Sequence, residues 1–160
     1  KSKFGISRAE SKNYSPGLKQ GYHLVLANDK LYAIGLYCPV IFEYSTEGKL
    51  INKLDLSGYN FMEPKIKSAK EADREEGRGR ILFFVYVDYS KWYLYVLISD
   101  YGPPRKSRLL VIKTNSNELK LDKIINLGHD KNKTYKRFCI YNEKKIILTD
   151  LVKLYVYNLF

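Results

Sequence analysis

The stretch from Gly21 to Leu56 constrains the fold more than any other part of the sequence, because it contains four short runs typical of β-strands. The runs are HLVLA, KLYAIGLY, VIFEYS and KLINKLDL, and they are rich in β-branched and aromatic residues. Turn-forming residues separate them at Asn28-Asp29, Cys38-Pro39 and Thr46-Glu47-Gly48. The pattern predicts a four-stranded antiparallel meander over residues 21–56.

The same pattern recurs twice later in the chain. Residues 80–127 contain four further strand-like runs, and residues 136–160 contain three, KRFCIYN, KKIILTD and KLYVYNLF. The four strands of the second unit are expected at Arg80–Tyr89, Lys91–Asp100, Ser107–Thr114 and Leu119–Leu127. The 160 residues are therefore expected to form one all-β domain of three similar antiparallel units.

Two polar segments interrupt this repetition. Residues 57–79 form a charged insertion that contains Pro64 and two late glycines, and two structures remain open for it. It forms either a short charged helix over Lys65–Glu76 or a loop excursion. Residues 1–20 are polar and basic, and they are expected to be an extended lead-in or an edge strand around Lys3–Arg8.

Several of the predicted strands are apolar on both faces rather than alternating. The runs FFVYV, WYLYVLI and KLYVYNLF show this pattern. It is expected when a sheet is covered on both sides, as in the radial packing of four-stranded blades. A two-sheet β-sandwich is the alternative, but it explains one buried face more easily than two.

The hairpin VIFEYSTEGKLINKLDL resembles the third and fourth strands of a blade in the six-bladed β-propellers of the TolB-like and NHL-like group. A strand ends in Tyr, a polar turn leads to Gly-Lys, and the next strand closes on an aliphatic residue; KLYVYNLF is similar to a third strand. The resemblance implies a partial propeller of about three blades. Because closed propellers use typically four to eight blades, it also implies further blades from a longer chain or from a second copy.

In propellers of this kind, ligands gather on one face that is built from the loops between strands. The resemblance therefore implies a non-enzymatic binding or scaffold module whose partner is a protein or a carbohydrate. The candidates for ligand binding on this face are Tyr37, Tyr59, Asp100, Tyr101, Arg105, Lys106, His129 and Lys131.

Catalysis has little support in the sequence. His23 opens an apolar strand, where a hydrogen-bonded structural histidine is expected, and His129 has no neighbouring Cys or second His to form a metal site. Asp88, Asp100 and Asp150 fall at predicted strand ends, where Asp commonly caps a turn. No catalytic residue, metal or cofactor is predicted, and a propeller hydrolase whose carboxylates converge on the loop face is the enzymatic alternative.

The formal net charge of +11 allows an anionic partner, but the basic residues are spread over nearly every segment. Solvation of the surface is the simpler interpretation. Nucleic-acid binding is a third hypothesis, because basic residues interleave with Tyr along Lys131–Arg137 and such pairs contact phosphates and stack on bases.

The longest apolar run, Ile81 to Ile98, has Asp88, Ser90 and Lys91 at its centre, so it predicts a hairpin that turns at residues 88–91 rather than a membrane span. No secretory signal is recognisable, and cytoplasmic and exported locations both stay open. Cys38 and Cys139 both lie in or beside apolar runs, and both are expected to be free core residues rather than a disulfide.

Overall fold

A computed structural model describes residues 21–74, 81–99, 106–129, 134–142 and 144–159. The chain divides into two compact units, Lys1–Phe84 and Val85–Phe160. The described residues form three antiparallel sheets and one helix. The all-β prediction is therefore confirmed.

The first unit contains sheet 1, whose strands follow one another in space in chain order. They are β1 (Tyr22–Ala27), β2 (Lys30–Gly35), β3 (Val40–Ser45) and β4 (Leu50–Asp55). Every neighbouring pair is antiparallel, as the meander predicts. Asn28 and Asp29 both have positive φ, 49° and 55°, in the two-residue turn between the paired ends of β1 and β2. Asn and Asp tolerate this backbone conformation better than most residues, so these two residues favour the tight turn of the first hairpin.

The charged insertion contains a helix, α1 (Glu63–Arg74), which decides between the two structures that the sequence left open. Pro64 lies in the first turn, where a missing backbone N–H costs no intrahelical hydrogen bond. Met62, immediately before the helix, is buried together with Lys65 and Ala69. These residues are spaced three or four apart, so they share one side of the helix.

The second unit contains sheet 2 and sheet 3. Sheet 2 is formed in chain order by β5 (Tyr86–Ser90), β6 (Tyr93–Ser99), β7 (Lys106–Lys113) and β8 (Lys120–His129). Sheet 3 has three strands, β9 (Arg137–Tyr141), β10 (Lys145–Thr149) and β11 (Leu154–Asn158), with β10 in the middle. The number and order of strands in residues 80–127 and 136–160 agree with the predictions.

Two details of the second predicted unit are wrong. The first strand begins at Tyr86 rather than Arg80, and the backbone N–H of Phe83 instead donates to Leu36 O in the first unit. The β5–β6 turn lies at Lys91-Trp92 rather than residues 88–91. Asp88 stays inside β5 because it pairs with Tyr95, and its carboxylate accepts the backbone N–H of Ile140 at 3.4 Å.

The core of the second unit lies between sheet 2 and one face of sheet 3. Alternate residues of the three strands of sheet 3 form this inner face: Phe138, Ile140, Ile146, Leu148, Tyr155 and Tyr157. They pack with sheet 2 side chains that include Leu97, Leu109 and Val111. The rings of Tyr86 and Phe138 meet edge to face with their centroids 5.4 Å apart. The apolar alternation of sheet 3 therefore supplies one wall of a sheet-on-sheet core.

Sheet 2 is buried on both of its faces in the middle strands. Leu97 of β6 belongs to the core shared with sheet 3, whereas its neighbours Val96 and Ile98 point to the opposite face and are also buried. β7 behaves in the same way, with Leu109 on one face and Leu110 on the other. The prediction of two covered faces for WYLYVLI is confirmed for Leu94–Ile98, whereas Trp92 at the start of the run is exposed.

Candidate interaction surface on sheet 3

The candidate binding residues of the loop face are only partly described. Four of them lie outside the described residues: Asp100, Tyr101, Arg105 and Lys131. Lys106 and His129 are brought together, because they pair at the ends of β7 and β8. Among the described candidates, this is the one pair that the sheet register places side by side.

The two tyrosine candidates lie in the first unit. Tyr37 is half-buried in the connection between β2 and β3. Tyr59 is exposed before α1, and its ring centroid lies 5.6 Å from that of Phe61. The surroundings of neither tyrosine identify a ligand.

Asp150, one of the aspartates expected to cap a turn, has structural partners. Asp150 Oδ1 accepts the backbone N–H groups of Lys153 and Val152 at 2.8 and 2.9 Å, and Oδ2 accepts the hydroxyl of Tyr155 at 2.9 Å. The hydrogen bonds from Lys153, Val152 and Tyr155 lower the pKa of Asp150. Asp150 thus caps its turn as the sequence predicts. Within the described residues, no three His, Cys, Asp or Glu side chains are grouped closely enough to hold a metal ion.

His23 is a half-buried structural residue. Its Nε2 lies 3.4 Å from the backbone carbonyl oxygen of Phe84, in the same unit. Burial lowers the pKa of the imidazole, and the hydrogen bond to Phe84 opposes this effect. These contacts are those of a structural histidine within β1, as the sequence predicts.

A buried carboxylate lies on sheet 1. Glu43 of β3 is almost fully buried, and its Oε2 accepts a hydrogen bond from the side-chain amide of Asn52 at 2.6 Å. Lys30 Nζ lies 2.5 Å from Oε1, which makes an ion pair without hydrogen-bond geometry. Because both neighbouring strands supply a partner, this group fixes the alignment of β2, β3 and β4 rather than presenting a free acid.

The two cysteines differ in environment. Cys38 is free and buried, and burial raises the pKa of its thiol to about 12. Cys139 is free and exposed, so the expectation of a core position is wrong for this residue. The reason is the register of sheet 3, in which Cys139 pairs with Ile147 on the face away from sheet 2.

This outer face of sheet 3 is largely uncovered. Its members alternate with those of the inner face: Arg137, Cys139, Tyr141, Lys145, Ile147, Thr149, Leu154, Val156 and Asn158. Leu154 is 74% exposed, Val156 61% and Tyr141 53%. The sequence predicts cover on both faces for KLYVYNLF, and only the inner face of β11 has it.

The β10–β11 hairpin ends in an exposed apolar tip, defined here as Thr149–Lys153. Leu151 and Val152 are 68% and 86% exposed, and Val152 is the most exposed large apolar side chain among the described residues. Leu151 has a φ of 81°, a backbone conformation that costs a non-glycine residue about 1–3 kcal/mol. The candidate list derived from the sequence omits Leu151 and Val152. The only signal is an apolar pair in a turn, where Gly or Asn would be expected.

Basic side chains lie at the same end of sheet 3 as the hairpin tip. Arg137 pairs with Thr149, and the backbone N–H of Lys136 donates to Thr149 O at 2.8 Å. Lys136, Arg137 and Lys153 are all exposed. The hairpin tip is therefore apolar at its end and cationic beside it.

The tyrosine in the basic segment Lys131–Arg137 is not available to stack on a base. Tyr135 is buried, its hydroxyl lies 2.5 Å from that of Tyr157, and its ring packs edge-on against Tyr155 and Tyr157. Residues 131–133 lie outside the described residues. The stacking component of the nucleic-acid hypothesis is therefore wrong for Tyr135.

A shallow cavity of about 580 Å³ follows the solvent side of α1. The described residues that line it all come from this helix, and charged Lys and Glu side chains predominate: Glu63, Pro64, Ile66, Lys67, Lys70 and Glu71. Ligand sites usually combine an apolar wall with a few convergent polar groups from several elements. This groove lacks that arrangement in the described part of the chain.

Protein families and curated proteins give no guide to this surface. No model of a protein family matches the chain, and no curated protein is significantly similar to it. None of the helices among the described residues is long and apolar enough to cross a membrane.

Proposed function

We propose that the chain is part of a β-propeller and acts as a non-enzymatic binding module. The proposal is supported by three successive antiparallel sheets, each formed by strands that follow one another in the chain. It is also supported by the burial of both faces of sheet 2, one of them against sheet 3. Radial packing of blades produces this pattern of burial.

The observation that carries the proposal is the outer face of sheet 3. It presents Tyr141, Leu154 and Val156 to solvent, although the opposite face of the same strands is packed in a core. Covering an aliphatic side chain of this size contributes about 1.5–3 kcal/mol. A further β-sheet is the occupant that fits best, because sheet 2 already covers the inner face in this way.

The further sheets would come from a longer polypeptide or from a second copy of this chain. A closed propeller uses typically four to eight blades, and three sheets are described here. A protein or carbohydrate partner would then bind at the loops between strands, where a rigid scaffold presents variable side chains.

The contacts of three described carboxylates favour a binding role over hydrolysis. Asp150 and Asp88 accept hydrogen bonds from the backbone, and Glu43 is paired within sheet 1. The alternative of a propeller hydrolase with convergent carboxylates requires carboxyl groups that reach a substrate and exchange a proton with it.

Site-specific photo-crosslinking in the cells that make the protein tests the proposal. The variant Tyr141→p-benzoylphenylalanine places the reactive group on the outer face, and Trp92→p-benzoylphenylalanine places it on the exposed β5–β6 turn as a control. Position 141 should crosslink to a strand of another β-sheet, in the same polypeptide or in a second copy, and position 92 should not. The absence of a crosslink at 141, or crosslinks to unrelated proteins alone, would overturn the proposal.

A further inference from the structure

We propose that the hairpin tip of sheet 3 inserts into the surface of an anionic lipid bilayer. This inference does not depend on the propeller architecture or on the loop-face partner. It rests on three properties of Thr149–Lys153 and its neighbours: exposed apolar side chains, internally satisfied backbone donors at residues 151–153, and adjacent cations.

The apolar side chains point away from the core. Leu151 and Val152 form the end of the β10–β11 hairpin, and both are more than two-thirds exposed. Two adjacent aliphatic residues at a protruding turn offer little area to a flat protein surface. They suit the boundary between headgroups and acyl chains, which takes up apolar side chains from interfacial proteins.

Three backbone donors of the hairpin tip are already satisfied. The N–H of Leu151 donates to Thr149 Oγ1 at 2.9 Å, and the N–H groups of Val152 and Lys153 donate to Asp150 Oδ1. A backbone donor that loses water without gaining a partner opposes entry into an apolar medium. The hairpin tip can therefore leave water without breaking these three hydrogen bonds.

The single acid of the hairpin tip is turned towards the protein. Asp150 Oδ2 accepts the hydroxyl of Tyr155, whose ring lies on the inner face of sheet 3. Lys136, Arg137 and Lys153 are exposed at the same end of sheet 3. Each cation close to an anionic bilayer strengthens binding about fivefold. The charges beside the apolar pair therefore match a negatively charged lipid surface.

The same contacts favour lipid over single-stranded nucleic acid. Binding of single strands relies on aromatic rings on which bases stack. Tyr135 is buried at this end of sheet 3, and the ring of Tyr155 packs edge-on against it. The exposed apolar side chains of the hairpin tip are those of Leu151 and Val152, which have no aromatic face on which a base could stack.

Vesicle co-sedimentation tests the inference with a defined probe. Vesicles of phosphatidylserine and phosphatidylcholine, in a ratio of about one to three, should bind the protein, and phosphatidylcholine vesicles should bind it much more weakly. Binding should fall as salt rises, because part of it is electrostatic. The double variant Leu151→Ser/Val152→Ser should lose at least about tenfold in affinity. The matched control Leu24→Ser/Leu26→Ser removes two exposed leucines of sheet 1 and should bind as the unchanged protein does.

A second variant separates membrane binding from stability. Leu151→Gly suits the positive φ and removes the apolar side chain. It should weaken vesicle binding about tenfold while the midpoint of thermal unfolding does not fall.

Failure to bind the anionic vesicles would overturn the inference. Equal binding by Leu151→Ser/Val152→Ser would also overturn it, since the net charge alone would then explain binding. Binding to poly(dT) or polyglutamate but not to vesicles would identify a different partner and have the same consequence.

Discussion

Sheets 2 and 3 carry the same sequence signal but are buried differently. Both contain strands that are apolar on both faces, WYLYVLI in β6 and KLYVYNLF in β11. In β6 the side chains are buried on both faces, whereas in β11 Leu154 and Val156 are exposed and Tyr155 and Tyr157 face the core. An apolar face of a strand therefore predicts that its burial against another element is energetically favourable. It does not predict that the described residues include the element that buries it.

The largest expected effect comes from a matched pair of leucines in sheet 3. Leu148→Ala removes a fully buried side chain of the inner face, and it should lower the free energy of unfolding by about 2–5 kcal/mol. Leu154→Ala on the outer face should change it by less than about 0.5 kcal/mol. Urea denaturation of the isolated chain at low concentration measures both values. Similar losses for the two variants would remove the distinction between the faces.

A matched pair of tyrosines tests the same contrast through hydrogen bonding. Tyr157→Phe deletes a hydroxyl that lies 2.5 Å from the hydroxyl of Tyr135 in the core of the second unit. It should cost about 1 kcal/mol, the usual net value of an intramolecular hydrogen bond. Tyr141→Phe, on the exposed outer face, should be neutral. A cost at Tyr141 as large as that at Tyr157 would show that the outer face is also packed.

The comparison extends to sheet 1 through the pH dependence of stability. Burial lowers the pKa of His23 below its usual value, so the unfolded chain binds more protons than the folded chain in mildly acid solution. The contribution of neutral His23 to the free energy of unfolding should be fully present above about pH 6.5. It should decline as the pH falls through the lowered pKa of His23 in the folded chain. His23→Gln should reduce the slope of stability against pH in this range. An unchanged slope would mean that the imidazole is as solvated as in a free chain.

The smallest expected effect concerns the backbone of the hairpin tip. Leu151→Gly relieves the positive φ, while glycine also adds freedom to the unfolded chain. The free energy of unfolding should therefore stay the same or rise by up to about 1 kcal/mol. Thermal unfolding measures the change, and Val152→Gly serves as the control at a neighbouring exposed position. A clear loss of stability in Leu151→Gly would show that the Leu side chain supports the fold.

The strands could be predicted from the sequence because their signals are local. Period-two or continuous apolar runs select strands, and Asn28-Asp29 selects a tight turn through its tolerance of positive φ. The start of β5 could not be predicted in this way. Phe83 has the β-propensity of a strand residue, but its N–H bonds to Leu36, far away in sequence.

The candidate surface could be predicted less well, because exposure depends on distant residues. Leu148 and Leu154 are the same residue type in neighbouring strands, and only the register shows that one faces the core and the other solvent. Asp88 resembles a turn residue, but it pairs with Tyr95 inside β5. The loop face is implied only by the resemblance to propellers. The exposed apolar surface of sheet 3 depends on the register of its strands, which the sequence does not contain as a local signal.

The most direct test of the difference between covered and uncovered faces is the reaction of the two cysteines with a thiol reagent. Cys38 is buried, with a pKa raised to about 12, and Cys139 lies exposed on the outer face, at the centre of the edge strand β9. In dilute folded protein, Cys139 should react as fast as the thiol of a short peptide, and Cys38 should react only after unfolding. Protection of Cys139 to the same degree as Cys38 would contradict the account.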